Sequence, residues 1–272
     1  MQGRCQIVRM THCDSELLDV ALELADAARA AILPHFRRHD LQSDNKDSAG
    51  FDPVTIADRE SEQAMRAVLA RLRPQDAILG EEFGATAGTS GLTWVLDPID
   101  GTRGFISGTP TWGVLIAVSD DNGPRLGVID QPYIRERFVG GAGQAFVDGP
   151  GGRHPISTRP FRPLNKATLF TTFPEVGSRP ERDGFEAVAR QVNLVRYGME
   201  CYAYALLAAG QIDLVIEAGL NAYDVQGPIG VILAAGGTVT DWQGKPAHHG
   251  GRILAAANPE IHRQALDILS AF

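Results

Sequence analysis

Apolar residues recur at helical spacing in the first part of the chain. Between residues 14 and about 36 they return every three or four positions, which is the period of one helix face. Asp14 suits the start of this helix because a short acidic side chain can accept hydrogen bonds from free backbone N–H groups. A second helix is predicted from about 56 to 73, where Pro74 stops it. Between them the charged, glycine-containing segment 39–50 predicts a mobile surface loop that leads into Asp52.

The pattern then changes to short apolar runs separated by turn residues, which predicts strands. Asn122-Gly123 between two of these runs predicts a hairpin turn. After a glycine- and proline-rich segment, 140–163, helical and strand-like runs alternate, which favours an α/β arrangement. We therefore expect an N-terminal α+β half, 1–145, and a C-terminal α/β half, 146–272. The predicted strands are 76–80, 93–96, 112–118, 125–129, 194–197, 213–216 and from 238 to 240, and the later helices are 180–192, 201–209 and from Asp224 to about 236.

Composition narrows the choice of partner only a little. At 272 residues, with 44% apolar and 21% charged residues, the chain has the composition of an ordinary soluble globular protein. The formal net charge of −8 argues against nucleic acid as the main partner, because binding to a phosphate backbone needs a basic face. The same acidic balance would suit metal cations held by carboxylates.

The cysteines and the apolar runs indicate the compartment. Cys5, Cys13 and Cys201 are too few and too scattered for a disulfide framework or a zinc ribbon, so we expect reduced thiols. The N-terminus lacks the apolar core of a secretory signal. No stretch reaches the roughly 18 apolar residues of a membrane span. These features predict a cytoplasmic protein with no membrane partner.

Acidic residues follow several of the apolar runs. They are Glu81 and Glu82, Asp97 and Asp100, and Asp224. A carboxylate at the end of a buried strand is costly unless a positive group meets it. Each one alone could be a turn residue or a helix cap, but bound metal ions would compensate several of them together. Oxygen ligands select hard cations such as Mg²⁺, Mn²⁺ or Ca²⁺.

Four segments carry a resemblance to a known family. They are Asp52-Pro53-Val54-Thr55-Ile56-Ala57-Asp58, Gly80-Glu81-Glu82, Trp94-Val95-Leu96-Asp97-Pro98-Ile99-Asp100-Gly101-Thr102, and Tyr223-Asp224. In this order and spacing they closely resemble the inositol monophosphatase superfamily, over nearly the full chain. The resemblance implies a Mg²⁺-dependent phosphomonoesterase with a layered α-β-α-β-α sandwich of the sugar-phosphatase type, α/β (α+β) in class. Its active site would lie between the two halves.

The resemblance also implies roles for individual residues. The expected ligands of two or three Mg²⁺ ions are Glu81, Asp97, the Ile99 carbonyl, Asp100 and Asp224. Asp52, Thr102 and Glu81 are expected to be catalytic, with Asp52 and Thr102 orienting the attacking water. Glu82 would lie beside a ligand without binding metal. Gly101 and Thr102 would offer backbone N–H groups to the phosphate at a helix start.

This chemistry needs those residue types. A phosphate monoester dianion repels hydroxide, so the site must both neutralise the phosphoryl charge and generate a nucleophile at neutral pH. Paired metal ions do both, since they lower the pKa of bound water and stabilise the leaving alkoxide.

Secondary motifs resemble the histidinol-phosphatase branch more than the inositol branch. They are Arg103-Gly104-Phe105 within 100–113, 127–132 with Arg135-Glu136-Arg137, and Met199-Glu200-Cys201-Tyr202-Ala203-Tyr204. The expected activity is hydrolysis of L-histidinol phosphate, a small phosphorylated metabolite, in histidine biosynthesis. Its ammonium and imidazole groups need acidic partners.

Four further residues are expected to bind the substrate beside Gly101 and Thr102. Glu200 and Glu217 are candidates for the amine, although Glu200 could instead be a helix-start residue. An acidic residue matching Glu217 in the inositol enzymes contacts sugar hydroxyls, so its presence does not discriminate. Arg103 would meet the phosphate or pair with an acidic neighbour, and Asp224 would contact substrate as well as metal.

Two alternatives to this activity remain open. The chain could be an inositol-1-monophosphatase or a broad small-molecule phosphatase. It could also be a catalytically silent relative that acts as a binding or regulatory subunit, although such proteins usually lose a ligand and every expected ligand is present here. The resemblance further implies a homodimer, to which the segment 112–132, expected to be exposed, could contribute.

Overall fold

The computed structural model describes residues 12–45 and 53–272. Over these ranges the chain forms seven α-helices, fifteen strands and a short 3-10 turn at Leu164–Lys166. The helices are α1 (His12–Ile32), α2 (Ile56–Leu72), α3 (Thr102–Ile106), α4 (Arg179–Ala189), α5 (Cys201–Ala208), α6 (Ala222–Ala234) and α7 (Pro259–Leu269). The strands are β1 (Ser43–Asn45), β2 (Pro53–Thr55), β3 (Ala77–Gly80), β4 (Gly84–Thr86), β5 (Thr93–Asp100), β6 (Gly113–Asp120), β7 (Gly123–Gln131), β8 (Glu136–Gly141), β9 (Gln144–Gly149), β10 (Gly152–Pro155), β11 (Thr168–Thr171), β12 (Leu194–Tyr197), β13 (Leu214–Asn221), β14 (Thr238–Thr240) and β15 (Gly250–Ala256).

The strands form two sheets and a short ribbon in which β1 and β2 pair antiparallel. The larger sheet has the strand order β10-β9-β8-β7-β6-β5-β3-β4 and is antiparallel except where β3 pairs with β5. The smaller sheet has the order β12-β11-β13-β15-β14. In it β12, β11 and β13 run parallel, while β15 is antiparallel to both of its neighbours.

The helices and sheets stack as five layers. Apolar faces of α1 and α2 pack on one side of the larger sheet. α5 and α6 lie between the two sheets, and α4 and α7 cover the outer side of the smaller sheet. Each helix layer thereby removes its own apolar stripe from water. The arrangement confirms the predicted α-β-α-β-α sandwich.

Glycines bring α6 directly onto β7. A Cβ atom on Gly127 would lie 2.1 Å from the carbonyl oxygen of Gly227, and one on Gly230 would lie 2.6 Å from the backbone nitrogen of Gly127. Any larger residue at this contact would push the helix away from the sheet. Since Asp224 lies in the first turn of α6, the contact also sets how far Asp224 lies from the larger sheet.

The elements predicted from the hydrophobic pattern are present, with their ends moved by a few residues. Helix α1 ends at Ile32, earlier than expected, because the chain turns at 33–37. Strand β5 runs further than expected, through the acidic segment to Asp100. The hairpin turn between β6 and β7 is centred on Asp121 and Asn122, one residue before the predicted position, since Asp120 pairs with Gly123.

Some elements were not predicted. The segment 140–163 contains β9 and β10, whose glycines form tight turns with positive φ, as at Gly143 and Gly152. Strand β15 and helix α7 near the C-terminus were also missed. The predicted loop 39–50 contains β1, and its remainder, from 46, lies outside the described residues.

The segment 112–132 is not exposed, contrary to expectation. It forms β6 and β7 in the middle of the larger sheet, where most of its side chains are buried. The homodimer stays a prediction, and this segment does not supply an exposed face for it. Among the described helices, none combines the length and apolarity needed to cross a bilayer.

Candidate active site

One cavity brings together the predicted site residues that the structure describes. It has a volume of about 340 Å³ and is lined by residues of β5, α3, β13 and α6 together with the turns after β3 and β11. The predicted residues lining it are Glu81, Asp97, Ile99, Asp100, Gly101, Thr102, Arg103, Glu200, Glu217 and Asp224. Asp52 lies outside the described residues. Residues far apart in the sequence therefore meet at one cavity.

Three carboxylates form the centre of the cavity. Carboxylate oxygens of Asp97, Asp100 and Asp224 all lie within 4.8 Å of one another. The first two come from β5, whose pairing with β6 shifts register between Asp97 and Asp100. Asp224 comes from α6, where its Oδ2 accepts a hydrogen bond of 2.6 Å from the Asn221 backbone N–H and so caps the helix. The cap fixes the direction of that side chain.

This cluster fits a hard metal cation. Asp97 is 1% exposed, and its Oδ1 atom is buried without a hydrogen-bond partner among the described residues. Burial, followed by the charge of Glu81, raises the pKa of Asp97 well above its ordinary value. Burial and the charge of Glu200 raise the pKa of Asp100 to about 7. Burial and the charge of Asp100 raise the pKa of Asp224 to about 7. A cation bound among these oxygens would compensate their mutual repulsion, and an all-oxygen donor set matches Mg²⁺.

A buried glutamate in α2 shapes the turn that carries Glu81. The Glu62 carboxylate accepts hydrogen bonds from the backbone N–H groups of Glu82, at 2.7 Å, and Phe83, at 3.3 Å. A Cβ atom on Gly80 would lie 1.9 Å from the Glu62 carboxylate, so a larger residue at this position would displace that carboxylate. Glu62 was not predicted from the sequence, since its role depends on how α2 packs beside β3. Glu82 does not line the cavity, in keeping with its prediction as a neighbour of a ligand.

Thr102 lies at the start of α3, next to two oxygen acceptors. Its hydroxyl lies 3.1 Å from the Ile99 carbonyl oxygen and 3.3 Å from Oδ1 of Asp58. Asp58 is itself buried and accepts hydrogen bonds from the backbone N–H and the hydroxyl of Thr55, at 2.8 and 2.6 Å. The upstream motif therefore reaches Thr102 through Asp58, a contact that the sequence analysis did not assign.

Gly101 precedes α3 and needs to be glycine for two reasons. Its φ of +84° lies in the left-handed region that side chains disfavour. A Cβ atom there would also lie 2.6 Å from Cγ of Glu200. The Glu200 side chain thus lies against the backbone that starts the phosphate-binding helix predicted from the sequence.

Glu200 has a strained backbone. Its φ of 50° and ψ of −145° lie in a region that is normally restricted to glycine. In this conformation the next backbone N–H, that of Cys201, donates a hydrogen bond of 2.6 Å to Oδ2 of Asp100. Burial, then the charge of Glu217, raises the pKa of Glu200 to about 7. The strain is therefore coupled to the position of a predicted metal ligand.

The two glutamates of the cavity have different surroundings. Glu217 accepts hydrogen bonds from the Thr171 hydroxyl at 3.1 Å, the Thr172 hydroxyl at 3.0 Å and the Thr172 backbone N–H at 2.8 Å. Even so, burial raises the pKa of Glu217 to about 7. Within the described ranges the Glu200 carboxylate accepts no hydrogen bond, and its charged neighbours include Glu217, Arg103 and Asp100. Glu200 thus keeps its acceptor capacity for a ligand, while Glu217 has used most of its own.

Arg103 and Phe173 meet at the rim of the cavity. The Arg103 guanidinium lies over the Phe173 ring, 5.0 Å from its centroid. Phe173 follows the turn after β11 and was not singled out in the sequence. A lone phenylalanine in a loop carries no pattern, so only the fold reveals that it reaches the cavity.

Comparisons with known proteins agree with this geometry. The chain matches the inositol monophosphatase family over residues 14–271. It is 40% identical to the chloroplastic bifunctional phosphatase IMPL2 of Arabidopsis thaliana, over 94% of this chain and 78% of the relative. It is 36% identical to the histidinol-phosphatase of Mycobacterium tuberculosis, over 96% of this chain and 100% of the relative.

A solved structure shares both the fold and much of the sequence. An inositol monophosphatase from Zymomonas mobilis superposes with a TM-score of 0.84 at 37% identity, over 96% of this chain and 100% of the other. The family match extends through both sheets and includes all of the cavity residues. The chain therefore belongs to the inositol monophosphatase family and is a hydrolase of phosphoric monoesters.

Proposed function

We propose that the protein hydrolyses L-histidinol phosphate to L-histidinol and phosphate, a step of histidine biosynthesis. Overall similarity does not select this substrate, since the identity to the histidinol-phosphatase of Mycobacterium tuberculosis is 36% and that to the inositol monophosphatase of Zymomonas mobilis is 37%. The choice depends on the part of the cavity that would face the alcohol side of the ester.

Glu200 is the observation that carries this choice. Its carboxylate lies against Gly101, beside the predicted phosphate cradle, and has no hydrogen-bond donor among the described residues. A half-buried carboxylate without a hydrogen-bond donor would be stabilised by a charged donor, which a substrate ammonium supplies. Inositol 1-phosphate offers only hydroxyl groups. Glu217 supports the same side of the cavity, because its hydrogen bonds fix Thr171 and Thr172.

We infer that two or three Mg²⁺ ions are the cofactor. Glu81, Asp97, the Ile99 carbonyl, Asp100 and Asp224 would hold them, and Asp52 would lie near a further ion. When bound, the ions supply an activated water and charge neutralisation for the phosphoryl group. The unpartnered Oδ1 of Asp97 and the three converging carboxylates support this donor set.

The other residues of the site position the substrate and the water. The backbone N–H groups of Gly101 and Thr102 would hold phosphate oxygens at the start of α3, where Arg103 adds a positive charge. The Thr102 hydroxyl, together with Asp52, would orient the attacking water in line with the leaving oxygen. Asp58 would help to fix that hydroxyl, since it lies 3.3 Å away.

The test is a comparison of substrates with the unaltered protein. Initial rates are measured with histidinol phosphate, inositol 1-phosphate and an adenosine bisphosphate, each with and without Mg²⁺. We expect Mg²⁺-dependent phosphate release and the highest kcat/KM for histidinol phosphate. A clear preference for either competitor would contradict the substrate and leave the metal chemistry intact. No Mg²⁺-dependent release from any of the three would favour a catalytically silent relative.

A further inference from the structure

Phe173 occupies an unusual position for an apolar side chain. It lines a cavity that also contains six carboxylate side chains, and 42% of its surface is exposed. Exposed phenylalanines are common singly, and Phe161, at 46% exposed, is another example in this protein. Phe161 does not line the cavity, whereas Phe173 does. The position of Phe173 thus gives its open ring surface access to a bound ligand.

Two contacts bear on the position of Phe173. Its backbone follows Thr172, whose N–H and hydroxyl both donate to the buried Glu217. Its ring is covered by the Arg103 guanidinium at 5.0 Å, a cation–π contact. An aromatic side chain has only two rotatable bonds, so it loses little freedom when a ligand packs on it.

The neighbours of Phe173 connect it to the phosphate cradle. Arg103 directly follows Thr102 in α3, and its charge acts on Glu200. Glu200 in turn lies against Gly101. All of these residues line the same cavity, so a ligand whose phosphate binds at Gly101 and Thr102 shares it with the Glu200 carboxylate and the Phe173 ring.

We propose that Phe173 is a specificity-determining residue on which a neutral aromatic ring of the leaving group stacks. Such a ring packs favourably on another ring in an offset or edge-to-face arrangement, which a flexible aliphatic chain cannot reproduce. The ring should be neutral, because the Arg103 cation already lies on Phe173. A polyol such as inositol gains nothing comparable from this surface. The inference rests on the proposed function in taking the phosphate to bind at Gly101 and Thr102.

Binding of non-hydrolysable phosphonates tests this directly and needs no turnover. Dissociation constants of 2-phenylethylphosphonate and n-butylphosphonate are measured by calorimetry with the full chain and Mg²⁺. We expect the unaltered protein to bind the phenyl compound about three- to tenfold more tightly. Phe173→Leu should remove most of this preference, Phe173→Tyr should retain it, and the matched surface variant Phe161→Leu should leave the ratio of the two constants unchanged.

The other outcomes overturn either the inference or the proposed function, and the two cases can be told apart. Equal binding of the two phosphonates by the unaltered protein, or no detectable binding of either, excludes an aromatic subsite. An equal loss for both compounds in Phe173→Leu would mean that the ring only positions Arg103. If the phenyl preference depends on Phe173 but histidinol phosphate is not hydrolysed, the proposed substrate fails and the aromatic subsite stands. If histidinol phosphate is the preferred substrate and the phosphonates bind equally, the aromatic subsite fails and the proposed substrate stands.

Discussion

The two sides of the cavity are built by different means. The metal side has one continuous segment at its centre, which passes from β5 into α3 and carries Asp97, Asp100 and Thr102, while Asp224 joins it from α6. The substrate side takes Phe173, Glu200 and Glu217 from three separate elements, which only the packing of the smaller sheet and α5 brings together. A side with such a segment at its centre can be recognised in the sequence. A side made of distant residues is recognised only in part: Glu200 and Glu217 were candidates from the sequence, whereas the fold was needed to find Phe173.

The largest expected effect is a loss of turnover on the metal side without a loss of the fold. Asp97→Asn should lower turnover by at least about 10³-fold, because the metal site contributes several kcal/mol of transition-state stabilisation and each 1.36 kcal/mol is a factor of ten. The chain should still fold, since burial and neighbouring acids make the ionised Asp97 unfavourable without a cation. Initial rates with Mg²⁺ and a thermal melt of the metal-free variant measure the two effects.

The matched control for Asp97→Asn is Asp19→Asn on the exposed face of α1. It removes the same charge from a site with no role in the cavity, so its rate and melting temperature should stay at wild-type values. Turnover of Asp97→Asn near the wild-type rate would remove the metal mechanism. Loss of its folded structure would show that Asp97 is needed to build this side of the cavity.

The second effect is the pH dependence of the stability of the metal-free protein. Asp100 and Asp224 have an ordinary pKa of 3.8 that is raised to about 7 in the folded chain. Between these values the folded state binds more protons than the unfolded state, so its stability is full below about pH 4 and is lost as the pH rises through 7. We therefore expect the melting temperature in EDTA to fall from pH 5 to pH 8.

Mg²⁺ should oppose this loss, because it binds the folded, ionised cluster. A ligand at a concentration of 100 times its dissociation constant raises the free energy of unfolding by about 2.7 kcal/mol. The stabilisation by Mg²⁺ should be larger at pH 8 than at pH 5, where protons compete with the ion for the carboxylates. Thermal melts in EDTA and in Mg²⁺ at both pH values measure it. An equal rise in melting temperature on adding Mg²⁺ at both pH values would contradict the coupling of these carboxylates to the metal.

The contrast between the two glutamates gives the third prediction. Glu200→Gln should lower kcat/KM for histidinol phosphate by about 10- to 100-fold, since it removes the charge proposed to meet the ammonium. Glu217→Gln should act mainly on stability, because an amide cannot accept all three hydrogen bonds from Thr171 and Thr172. The loss of about 1–3 kcal/mol corresponds to roughly 2–4 °C in melting temperature for each kcal/mol.

The control for this pair is a substrate without an amine. On inositol 1-phosphate, Glu200→Gln should change kcat/KM much less than on histidinol phosphate. An equal loss on both substrates would mean that Glu200 acts through Asp100, whose Oδ2 is bonded by the next backbone N–H, and not through the ammonium.

The difference between the two sides also explains how far the sequence could predict the molecule. Hydrophobic spacing was sufficient for the main helices and strands, and the carboxylates of β5 were recognisable because they follow a buried strand. Glu200 was named, but its positive φ and its lack of hydrogen-bond donors depend on α5 packing against Gly101. Phe173 and Glu62 gave no signal at all, since each acts on a partner far away in the chain.

The smallest expected effect concerns the backbone strain at Glu200. Glu200→Gly and Glu200→Ala both remove the carboxylate, but only glycine tolerates a φ of 50° with a ψ of −145°. The glycine variant should therefore be about 1 kcal/mol more stable than the alanine variant, while both lose activity on histidinol phosphate to a similar extent. Urea unfolding of the two metal-free variants measures the difference. Equal stability of the pair would mean that the strain at Glu200 is released when the side chain is shortened, and the hydrogen bond from Cys201 to Asp100 would then not depend on it.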